Sequence, residues 1–83
     1  MSNSEKLREL VQDVFLLDPA ELHFDLTRDD IDTWDSLGVV SLAVGVHETF
    51  GYHMTPDEAA GLGGLRDLVE LLNRNGISVD AEA

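Results

Sequence analysis

Ser36 is the side chain of this sequence whose setting invites chemistry. It stands in Trp34-Asp35-Ser36-Leu37, where a long aspartate-rich stretch gives way to an apolar segment. A hydroxyl at the start of a helix can cap it by accepting a backbone N–H bond. It can also be displayed for another enzyme to modify. A phosphate joined to it would face the positive end of the helix dipole and its free N–H groups, against some repulsion from Asp35. Asp35 is an equally natural cap. Ser36 has no base close in sequence, and His23, His47 and His53 form no obvious triad arrangement. A self-activated serine hydrolase is therefore not expected.

The chain has no cysteine, hence no thiol nucleophile, no disulfide and no thiolate metal site. The aspartates before Ser36 do not fit a calcium loop. Counting from Asp30, Asp32 falls at the third position, but Trp34, Asp35 and Ser41 stand at the fifth, sixth and twelfth, where an EF-hand needs an oxygen ligand, glycine and glutamate. No metal site is expected.

Four helices must position Ser36. Leu7, Leu10, Val11 and Val14 share one helical face, Ser2 and Glu5 have capping-box spacing, and Pro19 ends the segment, which predicts a first helix over about 3–17. Residues 18–35 carry six aspartates, together with Leu22, Phe24, Leu26, Ile31 and Trp34. So much apolar side chain predicts an ordered loop, pinned by Leu26 and Ile31 or Trp34. The second helix is expected over 36–50, stopping at Gly51. Thr55-Pro56-Asp57-Glu58 predicts a capped third helix over 56–61, and Leu65, Leu68, Val69 and Leu72 a fourth over 64–75. Residues 77–83 are expected to be a flexible tail. The fold class is thus all-α: a small four-helix bundle in a single domain, 1–83.

The second helix is apolar nearly all round. Leu42, Val46 and Phe50 form one stripe and Leu37, Val40 and Val44 another, with Glu48 as its single acid. A helix apolar on two faces is either central or meets a partner. Gly38 and Gly45 each cost about 1 kcal/mol of helix propensity against alanine, a sign of close approach by another group.

Seventeen acidic residues face five basic ones, a formal charge of −12. Such a surface repels nucleic acids and anionic membranes and steers basic protein surfaces towards itself. At 83 residues the chain can bury a modest core but hardly a deep substrate pocket as well. The absence of cysteine, of a signal-peptide stretch at the N-terminus and of a membrane-length apolar run fits a cytoplasmic protein.

Asp35-Ser36-Leu37 after a long loop, Phe50-Gly51 fourteen residues downstream of the serine, Tyr52 and Met54, a short third helix and an amphipathic fourth together resemble the acyl carrier protein family over about residues 4–76. The resemblance implies that a phosphopantetheinyl transferase attaches 4′-phosphopantetheine from coenzyme A to Ser36. It implies that the domain catalyses nothing itself and passes a thioester-bound intermediate between enzymes. Asp35 matches a residue that assists or docks during arm transfer. Leu37, Val40 and Val44 match a ridge offered to partners, with Glu48, Asp57 and Glu58 as acidic docking residues. The implied partners are acyl-loading, condensing and tailoring enzymes with basic or apolar docking surfaces, acting on a monomeric carrier. The implied setting is polyketide or related secondary metabolism, or fatty acid synthesis. Where the family usually carries several acids on helix two, Gly38, Ser41 and His47 stand here, so recognition is expected to be more hydrophobic. The Gly-Gly-His-Ser pattern of peptidyl carriers is missing before Ser36, with Trp34 standing in its place, which favours an acyl cargo over an aminoacyl or peptidyl one. The rival from another class is an unmodified acidic adaptor.

Overall fold

The computed structural model describes residues 2–80 and places four helices in them: α1 (Asn3–Phe15), α2 (Ser36–Phe50), α3 (Pro56–Ala60) and α4 (Leu65–Arg74). No strand forms among the described residues; Thr27 and Gly64 make one isolated antiparallel bridge. The fold is an all-helical bundle. Its core joins Leu7, Val11 and Phe15 of α1 to Leu42 and Val46 of α2 and Leu65, Leu68 and Leu72 of α4. Complete burial of one such side chain is worth roughly 1.5–3 kcal/mol, so these helical contacts dominate the cohesion.

Helix α1 ends two residues earlier than its periodicity predicts. Leu16 adopts the left-handed conformation (φ 57°), and the N–H groups of Leu16 and Leu17 both turn back to the Gln12 carbonyl. The αL residue points Leu16 outward, 82% exposed. At the other end Ser2 caps α1, accepting the Glu5 N–H at 3.2 Å.

The 18–35 loop is ordered, and Ile31 pins it as expected, with Leu22 and Phe24 as further pins. Leu22, Phe24 and Ile31 are buried, whereas Leu26 and Trp34 are half-buried. Leu26 contributes chiefly through its backbone: its carbonyl accepts the Leu65 N–H at 3.0 Å, while the Arg28 N–H donates to the Gly63 carbonyl at 3.0 Å. These two bonds staple the loop to the start of α4. Between them Asp30 closes a tight turn by accepting both the N–H and the hydroxyl of Thr27. Trp34 lies flat on Phe15, ring centroids 5.0 Å apart and planes 8° apart.

The C-terminal segment is docked as far as the structure describes it, against the expected flexible tail. Val79 is buried and exchanges two hydrogen bonds with the Asn73 side chain. Asp80 exchanges two more with the buried Ser4 hydroxyl, and Asn3 donates to the Ser78 carbonyl. The sequence signal was polar and short, and two of the three partners, Asn3 and Ser4, lie more than 70 residues away. Residues 81–83 of the expected tail lie outside the described residues.

Helix α3 is held by the box its sequence announces. Thr55 accepts the Glu58 N–H and Glu58 accepts the Thr55 N–H. The Tyr52 hydroxyl also donates to Glu58, at 2.7 and 2.8 Å to its two oxygens. The Thr55 N–H, then the Tyr52 hydroxyl, hold the Glu58 carboxyl below its ordinary pKa, and the Thr27 N–H and hydroxyl do the same for Asp30. Receiving that bond from Tyr52 raises the phenol in turn.

The glycines of α2 mark close approaches within the chain. A Cβ on Gly38 would overlap the Thr33 carbonyl oxygen and press on the Phe15 ring. That carbonyl is fixed, since it accepts the Asp35 N–H while the Thr33 hydroxyl donates to the Phe15 carbonyl. A Cβ on Gly45 would overlap the Leu10 side chain, which can rotate away. Gly38→Ala is therefore expected to destabilise by about 1–2 kcal/mol net of its helix-propensity gain. That is a melting-temperature fall of roughly 4–8 °C per kcal/mol. Gly45→Ala should stay closer to wild type. Thermal melts by circular dichroism check the ranking, and equal effects would refute it.

Folded-state carboxyl pKa values below the unfolded ones mean stability that is present above the ordinary values of 3.8 and 4.5 and lost as pH falls through the folded values. An Asp30→Asn, Glu58→Gln double variant should lose less stability than wild type between about pH 5 and about pH 3 in urea titrations. An identical acid limb would rule out these two carboxyls as contributors.

Candidate functional site

The site is built on the first turn of α2. Asp35 has extended backbone (φ −121°, ψ −174°), and its Oδ1 accepts the Gly38 N–H at 2.8 Å. Its carbonyl accepts the Val39 N–H, the first bond of the helix. Of the two natural caps in the sequence, Asp35 takes the role. Ser36 becomes the first helical residue, exposed, and its hydroxyl bonds none of the described residues.

Ser36 opens onto a groove of about 720 Å³ between α2 and α3. Val39, Val40, Ala43 and Val44 form one wall and Pro56, Ala59 and Ala60 the other. Met54 and Leu62 close the floor, and Arg28, Asp29, Trp34 and Asp35 surround the mouth beside Ser36. Trp34 is committed on one face to Phe15 and contributes to the groove as well. No histidine lines this groove. His47 and His53 instead face each other, ring centroids 5.2 Å apart, on the last turn of α2 and just beyond it. Since α2 rises about 1.5 Å per residue, His47 lies roughly 16 Å along the helix from Ser36. Ser36 thus has no general base within reach among these side chains.

The remaining residues singled out by sequence divide into groups. Leu37, Val40 and Val44 are 75%, 58% and 52% exposed and run as one stripe along α2. Val40 and Val44 serve twice, as stripe and as groove lip. Glu48 is exposed one turn beyond Val44 on the same stripe. Asp57 is exposed in the first turn of α3. Glu58 is different: half-buried, its carboxylate is spent on the α3 cap and on Tyr52. The face carrying Leu42 and Val46 is buried, so α2 turns one apolar stripe inward and leaves the other uncovered.

Sequence reading missed Arg28 and the groove lining supplied by Met54, Ala59 and Leu62. The lining residues lie far apart in the chain, and only the packing of α3 against α2 joins them. Arg28 carried a usable signal, because it is the sole basic residue between Arg8 and Arg66.

No helix among the described residues is long and apolar enough to cross a membrane. No curated protein and no solved structure matches the chain. A family model does, the one described as phosphopantetheine attachment site, over residues 5–72. The span runs from the first turn of α1 into α4 and takes in the loop, Ser36 and both walls of the groove. Carrier domains of this family are generally non-catalytic and work with a phosphopantetheinyl transferase and biosynthetic enzymes. The residues present fit the group: an exposed hydroxyl spared from capping, a helix N-terminus suited to a phosphodiester, and an adjoining apolar groove. With the match covering most of its length and the site able to accommodate the cofactor, this chain belongs to the phosphopantetheine attachment-site family and bears 4′-phosphopantetheine as its covalent cofactor.

Proposed function

We propose that Ser36 is the attachment residue and that the protein is an acyl carrier, presenting an intermediate to enzymes that act on it in trans and catalysing nothing itself. The observation that carries this reading is the division of labour at the α2 start: Asp35 caps the helix, and the Ser36 hydroxyl stays exposed at the mouth of an apolar groove. The arm supplies a thiol, which this cysteine-free chain lacks, for holding the acyl group as a thioester. Ser36 has no base of its own, so the transferase must remove its proton. Val39, Ala43, Met54 and Ala59 offer apolar surface from which water is excluded when a chain lies along it. That lining, with Trp34 before Asp35, supports an acyl rather than an aminoacyl or peptidyl cargo. Polyketide or related secondary metabolism, or fatty acid synthesis, is the matching setting, and the cytoplasm the matching compartment.

Partners are read as enzymes that meet the Leu37–Val40–Val44 stripe with an apolar surface rimmed by basic residues. Asp29, Asp32, Asp57 and Glu48 provide the exposed charge that steers them. Glu58 contributes less than its sequence position promised, because its carboxylate is occupied.

Intact mass after coexpression with a broad-specificity transferase tests the attachment. Wild type should gain one 4′-phosphopantetheine and Ser36→Ala none. An unmodified wild type with several transferases would leave the acidic adaptor as the reading. Docking is tested by transfer kinetics with a cognate enzyme. Leu37→Asp is expected to lower kcat/KM by roughly tenfold, about 1.4 kcal/mol, because it puts a charge at the centre of a desolvated contact. Glu48→Lys should cost less. The opposite order would show that charge rather than apolar contact governs recognition.

A further inference from the structure

We propose that Arg28 is the anion-binding residue of the groove mouth and that it holds the phosphodiester formed on Ser36, laying the attached chain along the groove rather than out into solvent. The inference rests on Ser36 being the attachment residue. Arg28 and Ser36 line the same groove from opposite elements, the loop and the first turn of α2. The chain has five basic residues, and the other four lie in α1 and α4. Among the described residues that line the groove, Arg28 is the only base.

The charge balance of the mouth gives that base a task. Asp29 and Asp35 stand there already, and a phosphodiester on Ser36 adds a third negative charge. Asp35 is fixed in place by its bond to Gly38 and cannot swing away without uncapping α2. A guanidinium offers paired N–H donors that match two phosphate oxygens, which a lysine ammonium matches less well. The platform under Arg28 is rigid. Its N–H is bonded to the Gly63 carbonyl, Thr27 bridges to Gly64, and Asp30 locks the turn through the Thr27 N–H and hydroxyl. The loop is held by its backbone and by Asp30, which leaves the Arg28 side chain exposed for another use.

The test uses the full chain, with arm attachment scored separately from the role of Arg28. Wild type, Arg28→Gln and Arg28→Lys are loaded with coenzyme A and a phosphopantetheinyl transferase, and intact mass reports attachment. No mass gain in any of them would overturn the Ser36 reading itself. On fully loaded protein, the nitrogen-15 correlation of the Arg28 Nε–H and acrylamide quenching of Trp34, the only tryptophan, are compared before and after loading. Loading should shift the Arg28 resonance. The shift should shrink at about 1 M salt, where the screening length falls to about 3 Å. Trp34 should become less quenchable in wild type, partly so in Arg28→Lys, and no less in Arg28→Gln. An unmoved Arg28 resonance on loaded protein, or wild-type protection of Trp34 in Arg28→Gln, overturns the proposal. So does a lowered melting temperature of unloaded Arg28→Gln, which would make the side chain a structural support.

Discussion

The hydrogen bond from the Gly38 N–H to the Asp35 carboxylate sets the geometry of everything around Ser36. A helix start leaves N–H groups unsatisfied, and one of the two adjacent polar side chains had to serve them. Asp35 does so in extended conformation, which starts the helix at Ser36 and turns the hydroxyl outward. The same bond requires Gly38 to lie tight under Thr33, so the loop, the cap and the glycine form one unit. Thr33 extends it to α1 through the Phe15 carbonyl, and Trp34 through the stack on the Phe15 ring. The hydroxyl is therefore presented by a rigid corner assembled from α1, the loop and α2.

That corner explains why a small domain can leave so much apolar surface uncovered. Burial of Leu42 and Val46 anchors α2 on α1 and frees its opposite face. Val40 and Val44 belong to both the exposed stripe and the groove, whereas Leu37 lies on the stripe alone. In the proposed function, a partner surface and an acyl chain would meet adjoining strips of one helix. Val40 and Val44 join the two.

The helical plan was legible because it depends on local signals. Periodicity marked α1 and α4, and Thr55-Pro56-Glu58 marked the α3 cap that the structure forms. Elements set by distant contacts were not legible. The left-handed turn at Leu16 has no glycine to announce it. The docking of Val79 and Asp80 depends on Asn73 and on Ser4, which looks like an ordinary helix-start serine. Leu26 reads as an apolar pin, yet its carbonyl does more than its side chain. At the site the sequence narrowed the cap to two neighbours and left the choice to geometry. Periodicity alone left the two apolar stripes of α2 equivalent; the family resemblance singled out Leu37, Val40 and Val44, the stripe that packing leaves exposed.

The pairing of Ser4 with Asp80, and of Asn3 with Ser78, brings the two ends of the described chain to one corner. That corner is at the start of α1, whereas Phe15 at its other end supports Trp34 beside the serine, about 20 Å away for a 13-residue helix. The two ends of the described residues lie together, a helix length from Trp34 and Ser36. The domain is thus shaped like a bead hung from a single point. Fusion at that point, or insertion there into the loop of a larger host, would leave Ser36 and its groove uncovered.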